Sequence, residues 1–91
     1  METNIISVKY ESDYTPKVFE GKAYSYYTNT KVIIGDYVLV PTIFGDKVAR
    51  VTEINIPESK IEAIKPYIKT IKHKVNKIKF LQEHIILEEA A

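Results

Sequence analysis

The sequence has no cysteine and no tryptophan, only three glycines and four prolines, and almost no surplus of either charge in its 91 residues. Without cysteine there is no disulfide framework and no thiolate metal site, which fits a reducing compartment and makes the cytoplasm the expected location. Three dispersed glycines cannot build a phosphate-cradling loop. The longest apolar runs, Val32 to Ile34 and Tyr37 to Val40, fall far short of the roughly 20 residues of a membrane span, so no membrane partner is expected. Met1 to Ile6 has neither a basic region nor an apolar core, which argues against a secretory signal. Thirteen Lys and Arg against twelve Asp and Glu leave a net charge of +1, no broad invitation to nucleic acid.

Catalytic and metal-binding patterns are also missing. The four serines, Ser7, Ser12, Ser25 and Ser59, stand outside any nucleophile elbow. The two histidines, His73 and His84, are read as a partly covered strand residue and a solvated helix residue, not as ligands. Asp36 and Asp46 each follow a glycine. They could act as a carboxylate pair only if the fold joined their turns, and capping of those turns is the simpler role. The expectation is a non-enzymatic protein with no metal and no cofactor.

What is present is β patterning over a single short domain. Ile6, Val8 and Tyr10 alternate with Ser7 and Lys9, and a turn follows at Asp13 to Pro16. Ala23 to Thr28 carries Tyr24, Tyr26 and Tyr27, a strand-favouring cluster. Gly35-Asp36 turns the chain into Tyr37 to Val40, which Pro41 is expected to end. A second turn at Phe44-Gly45-Asp46 leads into Lys47 to Ile56, whose two faces are both mixed, so a bulge is expected there.

Beyond Pro57 two readings compete. Ile61, Ile64, Ile68, Ile71, Val75, Ile78 and Ile85 recur at heptad-like spacing, as in one long amphipathic helix from Ser59 to Glu89. Pro66 opposes that helix, since an interior proline costs about 3 kcal/mol. The strict alternation from Thr70 to Asn76 supports the other reading. It gives a short helix over 59–65, a fifth strand over 69–77 with Ile71, His73 and Val75 on one face, and a terminal helix over 78–89. The fold class is therefore mainly β: a small five-stranded SH3/OB-like barrel with a short helix near 59–65 and a C-terminal helix. The alternative is a four-stranded sheet with one long kinked C-terminal helix. Residues 5–56 form the barrel body and 57–91 a basic extension of the same domain.

Charge sharpens that division. Residues 1–57 are nearly neutral, whereas residues 60–79 hold seven lysines against Glu62 alone, a net of +6, and Glu83, Glu88 and Glu89 make the end acidic. Two surfaces follow. Tyr24, Tyr26 and Tyr37, with Lys22 and Lys31 near them, have the composition of a base-stacking platform. Ordinary tyrosine packing or a protein-binding face would use the same residues, and since Tyr24 and Tyr26 share a face that excludes Tyr27, one set belongs to the core. Lys69, Lys72, Lys74 and Lys77 could neutralise phosphates. Lysines that keep an edge strand from aggregating give the same pattern, and this is the preferred reading.

The order of a Tyr-x-Tyr strand (Lys22-Ala23-Tyr24-Ser25-Tyr26), a Gly-Asp-x-Val-x-Val-Pro-Thr strand (Gly35 to Thr42) and a Val-Ala-x-Val strand (Val48 to Val51) resembles small phage and prophage proteins. It is also similar, more distantly, to the DNA 3′-end-binding barrel of the primosomal replication helicase and to SH3-type barrels. The resemblance spans most of residues 5–76 and implies a small barrel working in the cytoplasm of an infected host. It marks fold more than activity. Within it the first expectation is a host-takeover or anti-defence inhibitor that occludes a host or defence-system protein. The alternative is a barrel that binds single-stranded DNA or RNA through the tyrosines and lysines just named. Phe80, Leu81 and Ile85, on the apolar side of the terminal helix, are the expected face for a homodimer.

Overall fold

A computed structural model describes residues 4–81. Five antiparallel strands, β1 (Asn4–Glu11), β2 (Phe19–Thr28), β3 (Tyr37–Thr42), β4 (Gly45–Glu53) and β5 (His73–Val75), form one sheet in the order β2-β1-β4-β3-β5. The mainly β class and the five strands stand as the sequence suggested, but the fifth, expected over 69–77, is confined to His73–Val75, and His73 is exposed while Ile71 is buried. A single long helix over 59–89 is overturned, because β5 pairs with β3 through Tyr37, Val38 and Leu39. The short helix expected over 59–65 is replaced by two 3-10 turns, Glu58–Lys60 and Lys65–Tyr67. Pro66 is the middle residue of the second of them, within its first turn, where its missing N–H has no helical partner to lose.

Register fixes the faces. Tyr26 lies opposite Ile6, Tyr24 opposite Val8, Val8 opposite Val51, and Tyr10 opposite Ala49, which in turn faces Val38. Ile6, Val8, Tyr26, Val38, Ala49 and Val51, with Val32, Val40 and Ile71, make the core, and the half-buried Tyr10 packs against it. β1, β3 and β4 each give it two apolar residues at alternate positions, as a half-buried sheet requires. The bulge expected in the fourth strand falls at Thr52, where Ser7 pairs with Glu53 but Val8 pairs with Val51. A larger irregularity lies in β2, which holds three residues between Phe19 and Ala23 against the one, Tyr10, that β1 holds between Lys9 and Glu11, and Gly21 at φ +89° sits inside it.

The turns use the chemistry their residues offer. Ile33 donates its N–H to Asp36 Oδ2 at 3.0 Å, and Gly35 takes φ +97° in the same turn. The β3–β4 turn lies one residue earlier than expected. Thr42 pairs with Gly45, leaving Ile43 and Phe44 as a two-residue loop, and Pro41 is inside β3 rather than beyond it. Asn76 starts a helical turn at 77–81 by accepting the Lys79 N–H at 3.0 Å. The remainder of the expected helix over 78–89, with His84 and Ile85, lies outside the described residues.

β2 and β5 share no ladder, so the sheet is not closed into a barrel by its strands. The segment before β5 nevertheless bonds to both margins. Tyr27 donates its N–H to the Lys69 carbonyl and accepts from the Ile71 N–H, both at 2.9 Å, and the Lys72 N–H donates to the Leu39 carbonyl at 2.8 Å. Ile71, buried in the core, holds this crossing in place.

Candidate functional site

Where residues 64–69 leave the β2 margin, a groove of about 570 Å³ opens. One wall is Tyr24, Ser25 and Tyr26 of β2, the opposite wall is Pro41 to Phe44, and Ile64, Tyr67, Ile68 and Lys69 close one side. Its floor is an aromatic assembly. Tyr10 stacks on Tyr24 with ring centroids 4.7 Å apart and planes 9° apart, and meets Tyr26 edge-on at 6.5 Å. The hydroxyls of Tyr10 and Tyr26 are 2.6 Å apart, and Tyr26 donates to the Pro41 carbonyl at 2.9 Å. Burial first, then the bond to Tyr10, pushes the Tyr26 phenol well above its ordinary range. Lys47 Nζ lies 5.9 Å from the Tyr10 ring centroid and 3.0 Å from Asp13 Oδ1.

The rim is apolar and open to solvent. Ile43 is 85% exposed, Phe44 86%, Tyr67 80% and Ile64 47%, and Tyr24 presents 43% of its surface beside them. Clustered large apolar side chains at one groove are a feature that scattered surface leucines or isoleucines are not. Ile43 and Phe44 are exposed for a local reason: a two-residue hairpin tip has no core to turn towards.

The residues singled out in the sequence separate here. Tyr24 and Tyr26 share the groove side as expected, the first half-exposed and the second only 5% exposed. Tyr37 does not join them. It lies opposite Arg50 on the other face of the sheet, beneath Phe19 at 4.8 Å and Phe80 at 5.5 Å, with Lys77 Nζ 5.1 Å from its ring centroid. Lys69 lines the groove. Lys72 pairs with Asp46 at 2.7 Å and Lys74 with Asp36 at 3.3 Å, so each turn aspartate holds a lysine and the two do not act as a carboxylate pair. Lys77 donates to the Gly35 carbonyl at 3.3 Å. Phe80 packs on Tyr37 within the same chain, and the Leu81 backbone carbonyl accepts from Lys17 at 3.0 Å, while Ile85, the third residue of the expected dimer face, lies outside the described residues.

Sequence reasoning missed Tyr10, Ile43, Phe44, Ile64 and Tyr67 as site residues. The signal for Ile43 and Phe44 was available: two bulky apolar residues stand at a hairpin tip where polar residues or glycine are favoured. Among the described residues no group of three or more His, Asp or Glu is placed to hold a metal ion, and no helix is long and apolar enough to cross a membrane. Comparison of the chain with protein-family models, curated proteins and solved structures gives no match in any of the three.

Proposed function

We propose that this protein is a small binding module whose groove takes a protein partner and acts by occluding it. The observation that carries this reading is the set of exposed apolar side chains, Ile43, Phe44, Ile64 and Tyr67, around a floor of stacked tyrosines. Aromatic anchors surrounded by apolar contacts are what protein interfaces concentrate at their centres. We read the curled sheet as an SH3/OB-like barrel with one gap, on the strength of the bonds from Lys69 and Ile71 to Tyr27. The likeness to phage proteins supports a host or defence-system protein as the occluded partner. Nucleic acid is less favoured because Lys72 and Lys74 meet aspartates rather than facing solvent alone.

A photocrosslinking amino acid placed at Phe44, in a bacterial lysate, tests the reading. The expected result is one discrete protein adduct, competed by unlabelled protein and missing when the same group replaces Tyr14, which is 95% exposed and outside the groove. Equal adducts from both positions, or adducts to nucleic acid instead, refute it.

A further inference from the structure

The groove contains an unfilled backbone edge as well as apolar side chains. In an antiparallel ladder, residues alternate between bonding their partner strand and turning their N–H and C=O away from it. Tyr27, opposite Ile5, turns both groups away from β1 and gives them to residues 71 and 69. By that alternation Ser25, opposite Ser7, and Ala23, opposite Lys9, turn theirs the same way. Among the described residues no segment meets them there, because the chain before Lys69 has bent into the 3-10 turn Lys65–Tyr67. The facing wall offers no equivalent edge. Pro41 has no N–H, and its carbonyl is held by Tyr26. The groove is therefore one-sided: it has backbone donors and acceptors at Ser25, continued along the same β2 edge by Ala23 just beyond the lining, and apolar contacts from Tyr24, Phe44, Ile64 and Tyr67.

We propose, resting on the protein-partner reading above, that the occupant is an extended segment of the partner that adds as a strand to the free edge of β2. Strand addition supplies main-chain bonds along the edge, while alternate side chains of the added strand find the pockets. It also removes the hazard that an uncovered edge beside an apolar groove represents. Charge selects among such segments. Lys69, lining the groove, and Lys22, two residues from Tyr24, enter no ion pair among the described residues, and Lys47 is matched by Asp13 alone. The favoured segment has apolar residues at every second position and an acidic residue beside them.

Peptides selected from a displayed random-sequence library against the whole protein provide the probe. N-methylation is then moved one residue at a time along a selected peptide, and exchange of the Ala23 and Ser25 amides is followed by NMR. Strand addition is expected to make methylation costly, by about tenfold or more, at alternate positions only. It is also expected to slow exchange of these two amides while Tyr24 and Tyr26, already facing β1, change little. The variant Ser25→Pro is expected to lose the peptide, and the methylation pattern answers the question even if that variant fails to fold. Binding that Phe44→Ser abolishes but that shows no alternation overturns strand addition and leaves the groove reading intact. Failure to select any peptide, while Phe44 still crosslinks a protein, overturns it too, since the partner then presents a folded surface. A peptide that binds equally well to Phe44→Ser and protects neither amide overturns both.

Discussion

Tyr26 shows how one hydroxyl can organise a site. Its ring fills the core while its oxygen bonds Tyr10 and Pro41, joining β2 to β1 and to the far wall of the groove. Tyr26→Phe retains the ring but leaves a carbonyl and a hydroxyl short of a partner, at a cost of about 1–2 kcal/mol that a urea titration reads directly. The same residue predicts an alkaline weakness. A phenol whose pKa is higher in the folded state than in the unfolded one binds its proton more tightly when folded. Its stabilisation is complete below the unfolded value and declines as pH rises above it. Since burial raises Tyr26 from an ordinary 10.0, the protein loses stability from about pH 10 upward. Tyr26→Phe, measured by denaturant unfolding across that range, is expected to show the shallower decline. An equal slope in both proteins assigns the alkaline loss to other groups.

At the scale of elements, the crossing segment of residues 69–75 carries two kinds of attachment. Ile71 is buried in the core, whereas the pairs Lys72–Asp46 and Lys74–Asp36 are partly exposed. Ile71→Ala is expected to cost about 2–4 kcal/mol, and the double change Lys72→Ala, Lys74→Ala no more than about 1 kcal/mol, diminishing with salt. Denaturant titrations at low and high salt separate the two, and a larger loss from the lysines means that ion pairs hold the crossing. This segment also shows what was legible beforehand. Alternation from Thr70 to Asn76 identified a strand because period-2 patterning is local, and Gly35-Asp36 identified its turn because the side chain bonds the turn's own backbone. The bond between Tyr27 and the chain at residues 69 and 71 joins positions over forty residues apart in sequence, and nothing local encodes it. The groove was hidden for the same reason. Tyr24 and Tyr26 could be given a shared face, but Tyr37 could not be assigned to the opposite face before strand register was known, and Tyr67 gained importance only where its turn meets β2.

For the whole molecule, the decisive contrast is between charge in sequence and charge in the fold. Residues 60–79 read as a block of +6, the pattern of a phosphate-binding tract. Folding distributes that block: Lys65 meets Glu58, Lys72 meets Asp46, Lys74 meets Asp36, and Lys77 lies over Tyr37. Two of those partners, Asp36 and Asp46, belong to the β2–β3 and β3–β4 connections or their margins, so the near-neutral body compensates the basic extension. A surface arranged in this way releases few counterions on meeting DNA. Fluorescence anisotropy with short single- and double-stranded DNA and RNA, at about 50 mM and about 200 mM salt, is therefore expected to show weak binding. Its affinity is expected to change far less over that range than the roughly thousandfold loss of a protein that neutralises several phosphates. Tight binding that collapses over the same range means that the lysines exchange their aspartates for phosphates, and it places nucleic acid ahead of protein as the occupant. Weak binding at both salts leaves the exposed apolar rim at Ile43, Phe44 and Tyr67 as the feature that needs a partner, and the partner it accepts is then one that buries apolar surface.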